Sequence, residues 1–370
     1  MAKSLDIGTM WLVKGEIDNL SEPVFTPERN VFLKAATTDD TESTLKENNW
    51  RYVKYGGDFY IVGEHALRLR SLLTVKSEPG SANIVATQVD DLRRPMKNGI
   101  LNTAEEKLSI AIIQRLIADL LGPPSQPGEN ICFCSPSDPV NSSVSVAFHR
   151  TMLENFLNSL GYSVECIPEA MAIIYSERPV TIDPTDNSEA PFSGISISFG
   201  AGMANVVLSW RQMPLIAFSV CESGDWIDEQ TAQMAGVDKS VVTRMKESNK
   251  FDVGNVDETD LVQSGLSFFY GQMVKNTLKQ FSEKFNQLEN QIDTPLEIVV
   301  AGGTALVKGF LDKFKYELGK QELPFQTKSV RLASSPLYAV SNGCLVKALS
   351  TEKKTKKPQQ DQQKSKPKQA

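Results

Sequence analysis

The stretch "SLDIGTMWLVKGEI" (residues 4–17) sets apolar positions on both sides of Asp6-Ile7-Gly8-Thr9, a pattern that predicts two extended arms joined by a glycine turn. Near the middle of the chain "GISISFGAGMANVVLSW" (194–210) repeats that design: strand, glycine turn, returning strand. "RYVKYGGDFYIVG" reads as a hairpin about Gly56-Gly57, inside a small strand-rich subdomain expected over residues 20–90. Helical spacing takes over in "TAEEKLSIAIIQRLIADLLG", where Thr103 and Glu106 predict a capping box and Gly122 a stop. It returns in "SVAFHRTMLENFLNSLGY", where Phe148, Met152, Phe156 and Leu160 suggest one buried stripe, and in the long amphipathic run after Gly265. "NICFCS" and "SVECIP" read as short strands, the second running directly into the helix "EAMAIIYSE". The proline-rich 178–194 reads as a connection, "PLEIVVAGGTALVKGFLDKFKYEL" as strand, Gly-Gly turn and helix, and "SSPLYAVSNGCLVKALS" as a helix begun at Ser335-Pro336. The same motif opening each half of the chain predicts two related lobes with a ligand between them.

Composition narrows this picture. The 370 residues are 41% hydrophobic and 23% charged, ordinary for a globular chain long enough for more than one domain. No apolar run is long enough to span a bilayer, and "MAKSLDIGTMW" has no leader-peptide pattern, so a cytoplasmic location is expected. Five scattered cysteines without a CxxC pair, and only His65 and His149, give little material for a zinc site or a cysteine nucleophile. Cys132 and Cys134 alternate along one strand and read as core. The net charge is −6, but residues 351–370 hold seven Lys against Glu352 and Asp361, which leaves −11 on residues 1–350. That tail is expected to be disordered. Its charge suits an anionic membrane at the inner face, a nucleic acid or an acidic protein partner, and a purely solubilising role is the alternative.

The ordered set of glycine turns, with a helix-borne Glu between the first and second, resembles the actin, heat-shock chaperone and sugar kinase superfamily, and within it the bacterial actin MreB. The segments that carry the likeness are "DIGT", "RRPMKNGI" (93–100), "IPEAMAIIY" (167–175), "SFGAG", "ESGDWIDE" (222–229), "VVAGGTAL" and "SSPLYAVSNGCLVKAL" (334–349), spread over residues 3–350. The resemblance implies an α/β, actin-like two-lobed fold, each lobe a mixed β-sheet flanked by helices. The first lobe would span 1–175 and the second 176–350, with a helical subdomain at about 228–297 and the tail at 351–370.

It further implies ATP or another nucleotide with Mg²⁺ in the cleft. Asp6, Gly8 and Thr9 would form the first phosphate loop, Asp6 reaching the metal through water, and Gly200, Ala201 and Gly202 the second. Gly302, Gly303 and Thr304 would line the adenosine side, with Lys246 and Glu247 beside base and ribose. Gly224 and Asp225 match the glycine-glycine-aspartate stretch, and Glu169 the carboxylate that orients the attacking water. Read alone, Glu169 would be an acidic residue favouring a helix N-terminus.

The second loop departs from the family's Asp-x-Gly-Gly-Gly-Thr. Ser198 stands for the Asp and Met203 for the Thr, while Met10 and Trp11 replace small or polar residues in the first loop. The expectation is therefore a cytoskeletal or scaffolding protein that binds nucleotide weakly or hydrolyses it slowly and self-associates into filaments. The alternative is a non-polymerising pseudo-ATPase adaptor that binds a protein partner. A true ATPase or small-molecule kinase would need a base and a substrate pocket that the sequence does not display.

Overall fold

The computed structural model describes residues 2–75, 92–177, 181–182, 189–190, 192–248, 250–288, 292 and 294–364. It opens on β1 (Lys3–Ile7), β2 (Trp11–Ile17) and β3 (Pro23–Arg29), an antiparallel meander. Asp6 and Ile7 complete β1, so the first turn is tighter than expected, Gly8–Met10. A satellite sheet follows: β4 (Phe32–Lys34), β5 (Tyr52–Tyr55) and β6 (Asp58–Val62), with the Gly56-Gly57 hairpin in place, both glycines at positive φ. Helices α1 (Thr41–Glu47) and α2 (Glu64–Val75), which the strand-rich reading of 20–90 omitted, pack with it, and residues 76–90 of that span lie outside the described residues.

The chain re-enters the main body through a short hairpin, β7 (Met96–Lys97) and β8 (Ile100–Leu101). Helix α3 (Glu106–Leu121) ends at Gly122 as predicted. Its capping box does not form: Thr103–Glu105 is a 3-10 turn started by Asn102, whose side chain accepts the Ala104 N–H at 3.3 Å. β9 (Glu129–Ser135) and β10 (Tyr162–Pro168) add to β1 in parallel, joined by α4 (Ala147–Ser159). On α4 the buried stripe is His149, Leu153 and Leu157, one position from the predicted one, and Phe148 is exposed. α5 (Glu169–Glu177) follows β10 directly. The predicted connection 178–194 falls largely outside the described residues, apart from a small pair, β11 (Thr181–Ile182) with β12 (Glu189–Ala190).

The second half repeats the plan. β13 (Gly194–Phe199), β14 (Ala204–Trp210) and β15 (Met213–Val220) form an antiparallel meander. Helices α6 (Gly224–Ala235), α7 (Lys239–Lys246) and α8 (Leu261–Phe285) intervene, after which β16 (Leu296–Ala301) and β17 (Thr327–Leu332) join β13 in parallel, with α9 (Phe310–Gly319) between them. The two five-stranded sheets thus have equivalent orders, β10-β9-β1-β2-β3 and β17-β16-β13-β14-β15. One apolar core lies on β1, β9 and α3 (Leu5, Ile112, Leu116, Phe133); another joins Phe199, Tyr270, Phe281, Phe310 and Phe314 under the second sheet.

A third core ties the halves together. α10 (Ala339–Lys364) lies against α5, β9 and β1, burying Cys344 with Cys132, Cys134, Ile173, Val299 and Ala301. At the crossing a Cβ on Gly343 would fall 1.7 Å from the Ala172 carbonyl oxygen, so only glycine lets the helices approach this closely. α10 starts at Ala339 rather than Pro336, and its backbone stays helical to Lys364 where disorder was expected. A buried first half supplies the nucleus and the following Lys and Gln are good helix formers, which favours propagation against the cost of Pro358 within it. Residues 365–370 lie outside the described residues.

Candidate functional site

The two glycine turns meet across a cavity of about 650 Å³ between the sheets. In the first, the Gly8 N–H donates to the Trp11 carbonyl at 2.9 Å, and a Cβ on Gly8 would meet that oxygen at 2.8 Å. In the second, the Gly200 N–H donates to the Met203 carbonyl at 3.0 Å. These short turns leave the amides of Thr9, Met10, Ala201 and Gly202 with no acceptor among the described residues. Unengaged N–H groups on two facing turns are donors in want of an anion.

The turns touch. The Thr9 hydroxyl accepts the Gly99 N–H at 3.1 Å, and a Cβ on Gly202 would lie 2.2 Å from Gly99 N and 2.4 Å from Thr9 Oγ1. Met203 is buried with Ile100 and Val146, an apolar contact between the halves beside the second turn.

Asp6 at the end of β1 and Glu169 at the start of α5 are half-buried on the cavity wall and close enough to repel. Burial drives both carboxyls well above the usual carboxylate range, and for Glu169 the Asp6 charge adds to it. Their hydrogen-bond partners are neutral: the Cys134 thiol for Asp6 at 3.4 Å and the Ser198 hydroxyl for Glu169 at 2.7 Å. Ser198 therefore holds the acid it faces instead of adding a carboxylate. Two adjacent half-buried carboxylates whose hydrogen-bond partners are both neutral fit a divalent cation. Mg²⁺ takes one or two carboxylates and completes its shell with water and phosphate.

On the opposite wall Gly302, at φ +97°, lets its backbone pass so near Phe199 that a Cβ would sit 2.3 Å from the Phe199 carbonyl oxygen. Gly303 has open space around it. Lys246 and Glu247 line this side, yet the Lys246 ammonium is held by Asp228 at 2.6 Å and by the Gly224 carbonyl at 3.0 Å. Asp228 is fully buried and also accepts the Thr243 hydroxyl at 2.8 Å, so this is a structural ion pair at the cavity edge.

Of three further expected ligand residues, Thr304 lines the cavity with its hydroxyl already engaged, and two lie outside it. The Thr304 hydroxyl donates to the Gly200 carbonyl at 2.7 Å, an acceptor it shares with Ser223 and the Gly224 N–H. Gly224 and Asp225 do not line the cavity: Asp225 makes a two-oxygen contact with Arg94 at 2.7 and 2.9 Å, clasping the two halves together. Sequence reasoning missed Arg29, Asn205, Tyr270, Leu306 and Leu337, which also line the site. Only Asn205 carried a signal, as a polar residue in the buried run of β14 opposite Ser198.

Comparison with known proteins agrees with this geometry. A family model described as Volactin matches residues 1–348. The chain is similar in structure to the MamK double helical filament, at 16% identity and TM-score 0.63 over 94% of this chain and 99% of that one. It is also similar to MreB 5 of Spiroplasma citri bound to AMPPNP, at 14% identity and TM-score 0.62 over 96% of this chain and 98% of that one. The ADP-bound MreB5 of the same organism matches at 13% identity and TM-score 0.57, over 96% and 98%. No curated protein matches in sequence. The fold is the actin-like two-lobed fold.

Proposed function

Because the chain belongs to the Volactin family and has an actin-like fold, we propose that it is an actin-like cytoskeletal protein that binds ATP with Mg²⁺ in the cleft between its two sheets and assembles into filaments. The observation that carries the nucleotide reading is the pair of facing glycine turns with four unengaged amides beside two adjacent carboxylates, Asp6 and Glu169. Those amides bind and orient the polyphosphate. Asp6 and Glu169 would hold the cation, which would supply charge neutralisation when bound. Glu169 is also the residue placed to orient a water.

Hydrolysis is slow in this reading, because the Glu169 carboxylate accepts the Ser198 hydroxyl at 2.7 Å and so has an oxygen occupied that would otherwise orient a water. Filament formation is supported by the likeness to MamK, whose structure is a double helical filament. The Lys-rich segment 353–368 offers an electrostatic contact to an anionic membrane or another acidic partner. The second reading, a non-polymerising adaptor, is favoured by Ser198 and by Met203 closing the second turn with apolar packing.

Sedimentation and electron microscopy of the full chain with and without ATP separate the two. ATP-dependent pelleting with visible filaments supports the first. Monomers throughout, at concentrations where the same sample binds ATP, support the second.

A further inference from the structure

The first glycine turn carries a feature that the phosphate-cradle reading leaves unexplained: Met10-Trp11 where small or polar residues were expected. Trp11 pairs across the sheet with Arg29, the last residue of β3, and the Arg29 guanidinium lies 4.0 Å from the centroid of the Trp11 ring. Both side chains line the cleft. The pair is fixed to the turn from two sides, since the Trp11 carbonyl accepts the Gly8 N–H, and Asn30 donates its amide N–H to the Met10 carbonyl at 3.1 Å and its side-chain N–H to the Gly8 carbonyl at 2.9 Å.

The charges around the cavity then single out one residue. Its cations are Arg29, Lys246 and Lys308. Lys246 is held by Asp228, and Lys308 reaches Asp252 at 3.1 Å. Arg29 has no carboxylate partner among the described residues. The remaining charged lining is acidic: Asp6, Glu169 and Glu247. A polyphosphate entering this cleft adds several negative charges to that set.

We infer that Arg29, stacked on Trp11, is a phosphate-binding residue of the cleft, and that it supplies in the protein part of the charge neutralisation that the altered second turn no longer gives through its metal. A guanidinium with one face on an aromatic ring keeps its N–H edge free, and that planar edge matches two phosphate oxygens. Trp11 is thereby a positioning residue that holds the guanidinium at the turn. This inference rests on the nucleotide reading above.

The test is titration of the full chain with fluorescently labelled ATP, ADP and adenosine at two salt concentrations, comparing the wild type with Arg29→Met and Arg29→Lys. Loss of a charge-assisted contact is expected to weaken ATP binding by about ten- to a hundredfold in Arg29→Met, with adenosine binding unchanged and a shallower salt dependence for ATP. Arg29→Lys should recover part of the loss, and the thermal melts should coincide. Equal weakening toward ATP and adenosine, or unchanged ATP affinity, overturns the role of Arg29 while leaving the nucleotide site standing. Wild-type protein that binds none of the three ligands overturns the nucleotide reading itself, and the inference with it.

Discussion

Gly202→Ala is the sharpest perturbation of the cleft. A Cβ at this position would lie 2.2 Å from Gly99 N, 2.4 Å from Thr9 Oγ1 and 3.0 Å from the Asn98 carbonyl carbon, where ordinary contact begins at 3.4 Å. Two of these neighbours are backbone atoms of the β7–β8 turn, which cannot rotate aside, so the second turn has to move by about 1.2 Å away from that turn and about 1.0 Å away from Thr9 of the first. Forcing a methyl into packed surroundings costs about 1–3 kcal/mol. A shift of that size also pulls the Ala201 and Gly202 amides out of hydrogen-bond reach of a phosphate placed by Thr9 and Met10, and each such charge-assisted bond contributes about 1.5–3 kcal/mol. The expected result is a lower urea midpoint and at least about a tenfold loss of ATP affinity. Gly303→Ala is the comparison: it lies in the same cleft, with nothing within 4 Å of its added methyl, so unliganded stability should stay within about 0.5 kcal/mol. Urea titration and fluorescence titration with an ATP analogue read both effects. A Gly202→Ala protein that melts and binds ATP like the wild type would refute the claim that the two turns form one cradle.

Other consequences are testable on the same material. Lys246→Met leaves the fully buried Asp228 without its cation and should cost about 3–5 kcal/mol by urea unfolding, with Asp228→Asn in the same chain recovering much of it. Glu169→Gln should slow any ATP turnover by about 10²–10⁴. Because burial raises the Asp6 and Glu169 carboxyls, the stability tied to them is full below the ordinary carboxylate range and falls as pH rises through neutrality, so the unliganded Glu169→Gln protein should outlast the wild type at alkaline pH. His149, buried with neither ring nitrogen hydrogen-bonded among the described residues, has its imidazole pushed down to about 4 by burial. The unfolded chain takes up that proton first, so the wild type should lose about 3 kcal/mol relative to His149→Leu as pH falls from 6.5 to about 4, while the difference between the two proteins stays constant above that range. A parallel pH profile for the two proteins contradicts this.

The sequence carried the backbone of the site better than its side-chain chemistry. Gly8, Gly202 and Gly302 were legible because close backbone approach excludes a Cβ, and such positions announce themselves as glycine beside a strand. Glu169 was placed by its register, at the junction where β10 passes straight into α5. Asp225 was read into the cleft because a carboxylate near a motif shows its type and not its partner, and here Arg94 claims it; Thr304 lines the cavity as expected, with its hydroxyl turned to the Gly200 carbonyl. Arg29 was invisible for the opposite reason: it enters the cleft from an edge strand 18 positions beyond Trp11, through a pairing that only the sheet register creates. The helical course of α10 past residue 350 escaped a compositional reading, since Lys and Gln tracts suit a solvated helix as well as a coil once a buried segment has started one.

The most direct test of the account is calorimetric titration of the full chain with ATP in the presence of magnesium, beside the Gly202→Ala protein. The cleft described here predicts saturable binding of one nucleotide per chain that Gly202→Ala weakens at least about tenfold. Absence of binding up to about millimolar ATP would contradict the central claim, that the facing turns are a working nucleotide site.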